Sequence, residues 1–118
     1  MGLEELIDAV ARSERRALRS HLIRLMTHII KWQAQPSKRS VSWAVTILQA
    51  RDEIASIQEE VPSLTRAVIE SIWEHCAGAA LRQAETEMRR PASDVALTWS
   101  DVFDREYTLG PDEGDAPD

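Results

Sequence analysis

The chain has 118 residues, 20 acids against 14 lysines and arginines, a formal net charge of -6 and one cysteine. That length fits one domain with a modest core; the apolar runs fall far short of the roughly 20 residues that span a bilayer, and Glu4 and Glu5 stand where a signal peptide carries positive charge. A cytoplasmic protein with no membrane segment is expected, with Cys76 a reduced, buried thiol, and Leu6 in place of Ser or Thr is a poor match to myristoylation of Gly2.

The charge is unevenly spread. Residues 1–50 hold eight basic side chains against Glu4, Glu5, Asp8 and Glu14, whereas from Ala92 onward Arg105 alone offsets eight acids. The amino-terminal half is therefore basic. The carboxyl end reads as a disordered acidic tail over 110–118 that is suited to screening a basic surface on the same molecule.

Three helical periods follow in chain order. Leu18, Leu22, Leu25, Ile29 and Trp32 recur at steps of four and three, with Leu3, Ile7 and Val10 extending the stripe toward the start, so helix one is predicted from about Leu3 to Trp32. Ile23, Met26 and Ile30 make its second half apolar nearly all round, as in the central helix of a bundle. Pro36 stops the pattern, and Ser40 is placed to accept a bond from an unpaired backbone N–H at the start of helix two, Val41 to Glu60. Its stripe is Trp43, Ile47, Ala50, Ile54, Ile57 and Val61. Pro62 and Ser63 then predict a break and a cap before helix three, which carries Leu64, Val68, Ile72, Cys76 and Ala79 beside a second seam of Ile69, Trp73 and Ala80 and runs to about Met88. Gly78 and its small neighbours suggest close helix approach. Thr98 and Asp101 read as a variant capping box opening a short helix to about Asp104. The expected architecture is all-α: an antiparallel bundle of three long helices and a short carboxyl-terminal helix, one domain over 1–109.

The strings from Arg12 to Leu18, His28 to Pro36 and Arg39 to Trp43 resemble the bacterial domain-of-unknown-function family 29, over nearly the whole chain to about residue 111. The resemblance implies an all-helical, cytosolic bacterial protein and carries no activity. Members usually have a further acidic and aromatic segment at the start, which the first residues of this chain do not match.

No catalytic constellation is visible. His21 and His28 share a helix face but stand roughly 10 Å apart, too far for one metal ion, and no histidine has a carboxylate three residues before it. Ser13, Ser20, Ser40 and Ser42 lie outside any nucleophile elbow, and Asp52 with Glu53 or Glu59 with Glu60 diverge by about 100 degrees. No cofactor is implied, and a metal-dependent enzyme ranks third among the readings.

Two features suggest binding. Arg12, Arg15, Arg16 and Arg19 form a basic flank on helix one, suited to phosphates or an acidic partner and otherwise to internal pairing, for instance with Asp8. Lys31, Trp32, Lys38, Arg39, Ser40 and Trp43 gather at the junction of helices one and two, where Lys38 and Arg39 precede the positive end of a helix dipole and call for compensation. That compensation is either an anion held by the exposed N–H groups of Val41 and Ser42, or internal pairing with the tryptophans closing the core. The reading that results is a non-enzymatic interaction or regulatory module with an unknown protein partner or self-association; the alternative is a phosphate or nucleic-acid binder using the same residues.

Overall fold

The computed structural model describes residues 2–110, which form α1 (Leu3–Ala34), a 3-10 turn (Pro36–Lys38), α2 (Val41–Glu60), α3 (Arg66–Met88) and a π-helical turn (Ser100–Asp104). The chain is all-α, as expected. The acidic tail beyond Gly110 lies outside the described residues.

Each helix boundary has a local cause. Glu4 and Glu5 in the first turn of α1 and Lys31 in its last complement the helix dipole. α1 runs one half-turn past Trp32 to Ala34 before Pro36 ends the hydrogen-bond pattern. Ser40 adopts extended backbone, and its hydroxyl accepts the Trp43 N–H at 3.2 Å, the cap anticipated for α2.

α3 starts at Arg66, not at Pro62–Ser63 as the sequence suggested. Leu64 is buried as a plug in the core, its N–H bonds the Val61 carbonyl, and its own carbonyl accepts from Gln58 Nε2 at 3.0 Å. The chain thus makes a fastened turn before Thr65, the actual N-cap, whose side chain makes no capping bond. At the far end Arg89 is left-handed (φ 58, ψ 37), and Arg90 N–H reaches the Glu85 carbonyl, closing the helix as glycine usually does.

α1 is the central element. α2 runs back along it and α3 runs parallel to it; each packs on α1 and hardly on the other. Leu18, Leu22, Leu25, Met26, Ile29 and Ile30 are buried against Ile47, Ala50, Ile54 and Ile57 of α2 and Ile69, Cys76, Ala80 and Ala84 of α3. The small buried residues at Cys76, Ala80 and Ala84 allow the close approach. Gly78 does not: a Cβ there would meet only Arg82 Nη1, at 3.5 Å.

Space between α2 and α3 is filled by the carboxyl-terminal segment. Ala92 is anchored through its N–H to Glu85 Oε2 at 2.8 Å, the chain returns alongside α3, and the π turn buries Val102 before Tyr107 comes back to Trp32. Thr98 and Asp101 form the anticipated capping box, Thr98 N–H to Asp101 Oδ2 at 3.0 Å and Asp101 N–H to Thr98 Oγ1 at 3.1 Å.

The helix begins at Leu3 as expected, but the start of its apolar stripe is not covered. At 1.5 Å per residue its 32 residues span about 48 Å, close to the 55 Å long axis of the molecule, and both other helices are shorter. Complete burial begins at Leu18, whereas Leu3 is 73 % exposed and Leu6, Ile7 and Val10 are also exposed. The stripe continues in sequence, but neither α2 nor α3 reaches far enough to cover it.

Candidate functional site

At the junction the structure brings together Lys31, Trp32, Arg39, Ser40 and Trp43 and uses their polar groups internally. Arg39 Nε donates to the Trp32 carbonyl at 2.8 Å, with its guanidinium over the Trp32 ring. That carbonyl belongs to the last turn of α1, where no intrahelical donor remains and the dipole is negative. The compensation that Arg39 requires beside the start of α2 is therefore the end of α1. Lys31 lies 3.9 Å from Glu87 of α3 and over the Trp43 ring, and Trp32 meets Tyr107 edge to face. Lys38 is exposed on the 3-10 turn.

The basic flank is different. None of Arg12, Arg15, Arg16 and Arg19 lies within 4 Å of a described carboxylate, so the pairing of Asp8 with Arg12 is not formed. Arg15 and Arg19 rim a small hollow over Leu18, Val68 and Ile72 at the start of α3.

Sequence reasoning missed the carboxyl-terminal contribution. Tyr107 is buried, with Arg51 and Arg105 over its ring. Its hydroxyl donates to the Asp101 carbonyl at 2.7 Å, and burial raises its pKa. Arg51 Nε donates to the Val102 carbonyl at 2.7 Å and Nη2 to that of Asp101 at 3.2 Å, so the end of the π turn is capped by an arginine from α2. On the opposite side Trp73, Trp99 and Phe103 cluster, with Arg66 4.0 Å above Trp99.

The packing of residues 106–109 beside α2 leaves an open apolar groove of about 460 Å³. Val41, Val45 and Leu48 form one wall, all three exposed, and Tyr107 and Leu109 the other, with Arg51 at the rim. Their spacing of four and three is a second seam along α2, legible in the sequence beside the core stripe. The groove adjoins the junction, since Tyr107 is shared by both.

Among the described residues no three His, Cys, Asp or Glu side chains come together as a metal site, and no helix is long and apolar enough to cross a membrane. His28 Nδ1 donates to the Arg24 carbonyl at 2.9 Å; burial lowers its pKa, the Arg24 carbonyl opposes this, and Lys31 adds to it. Cys76 is buried and its pKa is raised by burial.

The fold is a small all-helical one with an apolar groove beside α2 and a basic flank on α1 that, among the described residues, has no carboxylate within 4 Å. The chain belongs to the family described as domain of unknown function DUF29, which it matches over residues 2–108. Neither the curated proteins nor the solved structures contain a match to it.

Proposed function

We propose that this domain is a non-enzymatic docking module whose groove beside α2 takes an apolar, helix-forming segment of a partner protein. The observation that supports the reading is the exposed row Val41, Val45 and Leu48 facing Tyr107 and Leu109 across the groove. Solvent-exposed aliphatic side chains at helical spacing, backed by a buried aromatic residue, suit anchors at i, i+3 or i+4 and i+7 of an incoming helix. Of the polar residues that line the groove, Arg51 is already engaged by the Val102 and Asp101 carbonyls, and Glu106 and Thr108 are exposed beside walls that are mainly aliphatic, which favours apolar recognition over chemistry.

The test is selection of binding peptides from a random helical library on the full chain, followed by NMR titration. Selected peptides should carry spaced Leu, Ile or Phe anchors, perturb Val41, Val45, Leu48 and Tyr107, and lose about tenfold or more in affinity on Leu48→Glu, the scale of 1.4 kcal/mol. Peptides that bind elsewhere, or equally well to that variant, sink the reading.

A second reading, phosphate or nucleic-acid binding, is supported by Arg12, Arg15, Arg16 and Arg19 of α1, which meet no carboxylate among the described residues. Against it stand Glu4, Glu5 and Asp8 on the same helix. A short RNA whose binding weakens steeply with salt and is lost on Arg12→Ala with Arg16→Ala would favour it.

A further inference from the structure

α3 carries Arg66, Glu70, Trp73 and Glu74 at i, i+4, i+7 and i+8, so the four share one face of the helix. The capping box of Thr98 and Asp101 fixes Trp99 opposite that face, where its ring stacks on Trp73 with centroids 5.7 Å apart and planes 22° from parallel. Between these residues, with Leu97, lies an open hollow of about 300 Å³. One half of it already holds a cation of the chain's own. The Arg66 guanidinium lies 4.0 Å from the centre of the Trp99 ring, and its Nε donates to Glu70 Oε1 at 2.8 Å, so the cation has an aromatic face beneath it and a carboxylate at its edge. Trp73 and Glu74 repeat that pairing of ring and carboxylate one turn along α3. Among the described residues no lysine, arginine or histidine comes within 4 Å of the Glu74 carboxylate, and no lysine or arginine lies over the Trp73 ring.

We propose that this hollow is a binding site for an arginine side chain of a partner polypeptide, with the guanidinium beside Trp73 and hydrogen-bonded to Glu74. Aromatic faces and carboxylates together select a cation, and a planar guanidinium meets both better than a compact ammonium, by stacking and by a forked pair of N–H donors. The charge of the neighbourhood agrees. The described part of the returning segment carries Asp94, Asp101, Asp104 and Glu106 against Arg105, which attracts a basic partner and repels a phosphate or an anionic surface. A metal ion is a poorer occupant, since among the described residues no three His, Cys, Asp or Glu side chains converge. Free arginine is also disfavoured, because it would bring its own carboxylate against Glu70 and Glu74. A polypeptide is favoured by the continuation of the hollow past Trp73, Glu74 and Leu97 into an apolar one lined by Ala77, Leu81 and Val95, which suits an apolar residue next to the arginine on the same chain. Arg66 stays close by as a like charge, so a single side chain is expected to bind at roughly millimolar concentration. The site shares no lining residue with the groove beside α2 and does not depend on the reading of that groove.

Titration of the full chain with Nα-acetyl-arginine methylamide, followed by NMR of the four indole N–H groups, tests this. The resonances of Trp73 and Trp99 should shift while those of Trp32 and Trp43 stay in place. The citrulline analogue, a neutral isostere, should cause no shift, and the lysine analogue should bind more weakly. Glu74→Gln should weaken binding by about threefold or more and leave the thermal unfolding curve unchanged, because the side chain is exposed and pairs with no described cation. Arg66→Gln should strengthen binding by removing the neighbouring like charge. Capped Leu-Arg and Arg-Leu peptides should bind more tightly than agmatine, a guanidinium on a bare stem. Equal shifts with the citrulline analogue, binding unaffected by Glu74→Gln, or agmatine binding more tightly than both peptides would each overturn the proposal. So would binding confined to the Arg66→Gln protein, because Arg66 would then be the only guanidinium that the hollow admits.

Discussion

Arg51, midway along α2, donates its Nε–H to the carbonyl of Val102 at 2.7 Å, fixing a residue of the carboxyl-terminal segment to a helix fifty-one positions earlier in the chain. Val102 is fully buried, and the neighbouring Asp101 carbonyl accepts from both Arg51 and Tyr107. These carbonyls end the π turn, and without the arginine they would have no intrahelical donors.

Arg51→Met should therefore destabilise the protein by about 2 kcal/mol, since it removes a charged donor and leaves partly buried acceptors unsatisfied while keeping much of the side-chain volume. Tyr107→Phe should cost about 1 kcal/mol, one hydrogen bond. Urea unfolding checks both. A loss for Arg51→Met no larger than that for a substitution at exposed Lys38 would show that the segment is held by Val102 burial alone.

Cys76 provides an internal reporter of the same transition. It is buried with its thiol pKa raised by desolvation, against the weaker opposing charge of Arg19. A thiol reagent should label it about 10³-fold or more slowly in buffer than in denaturant, through the small fraction of open molecules. Arg51→Met should speed labelling in proportion to its loss of stability. Labelling of the native wild type at the rate of a free thiol would contradict the packing of α3 on α1.

Stability should depend on pH through His28. Burial, partly offset by the Arg24 carbonyl, holds its folded pKa below the ordinary imidazole value of about 6.5. The unfolded chain then binds the proton first, so the contribution is complete above about pH 6.5 and is lost as pH falls from there through the lower, folded pKa. Urea midpoints at pH 7.5 and 5.5 should differ more for the wild type than for His28→Gln, which keeps a donor for the Arg24 carbonyl. Equal differences in the two proteins would remove His28 as the cause.

How much of this was legible in the sequence depends on the range of the interaction concerned. The α2 boundaries, the Ser40 cap and the Thr98–Asp101 box rest on residues within a turn of one another, and spacing alone reveals them. The buried stripe of α1 is equally local, but whether Leu3 to Val10 is covered depends on the lengths of α2 and α3, so the same periodicity meant core at Leu22 and surface at Ile7. Long-range placement was hidden altogether. Nothing local to Arg51 announces its role, because only the returning chain sets Val102 against it, and Arg39 stood between a bound anion and internal pairing because its actual partner is a backbone carbonyl, which no side-chain pattern encodes. The spacing of Val41, Val45 and Leu48 does not by itself mark a groove, because the opposite wall comes from Tyr107 and Leu109, more than fifty residues away.

Two backbone positions in α3 run against local preference, and each offers a stabilising substitution. Arg89 closes the helix in a left-handed conformation that costs a residue with a Cβ about 1 kcal/mol relative to glycine. Gly78, inside the helix, costs about 1 kcal/mol relative to alanine, and the added methyl would touch only the flexible end of Arg82 at an ordinary 3.5 Å. Arg89→Gly and Gly78→Ala should each raise the unfolding temperature by several degrees. Lying about three helical turns apart with no shared partner, their effects should add. Thermal unfolding of the single and double variants measures this. A gain for Arg89→Gly with a loss for Gly78→Ala would be the informative departure, because it would mean that the hollow which Gly78 lines with Val95, Ala96 and Leu97 is filled more closely in solution than by these residues alone.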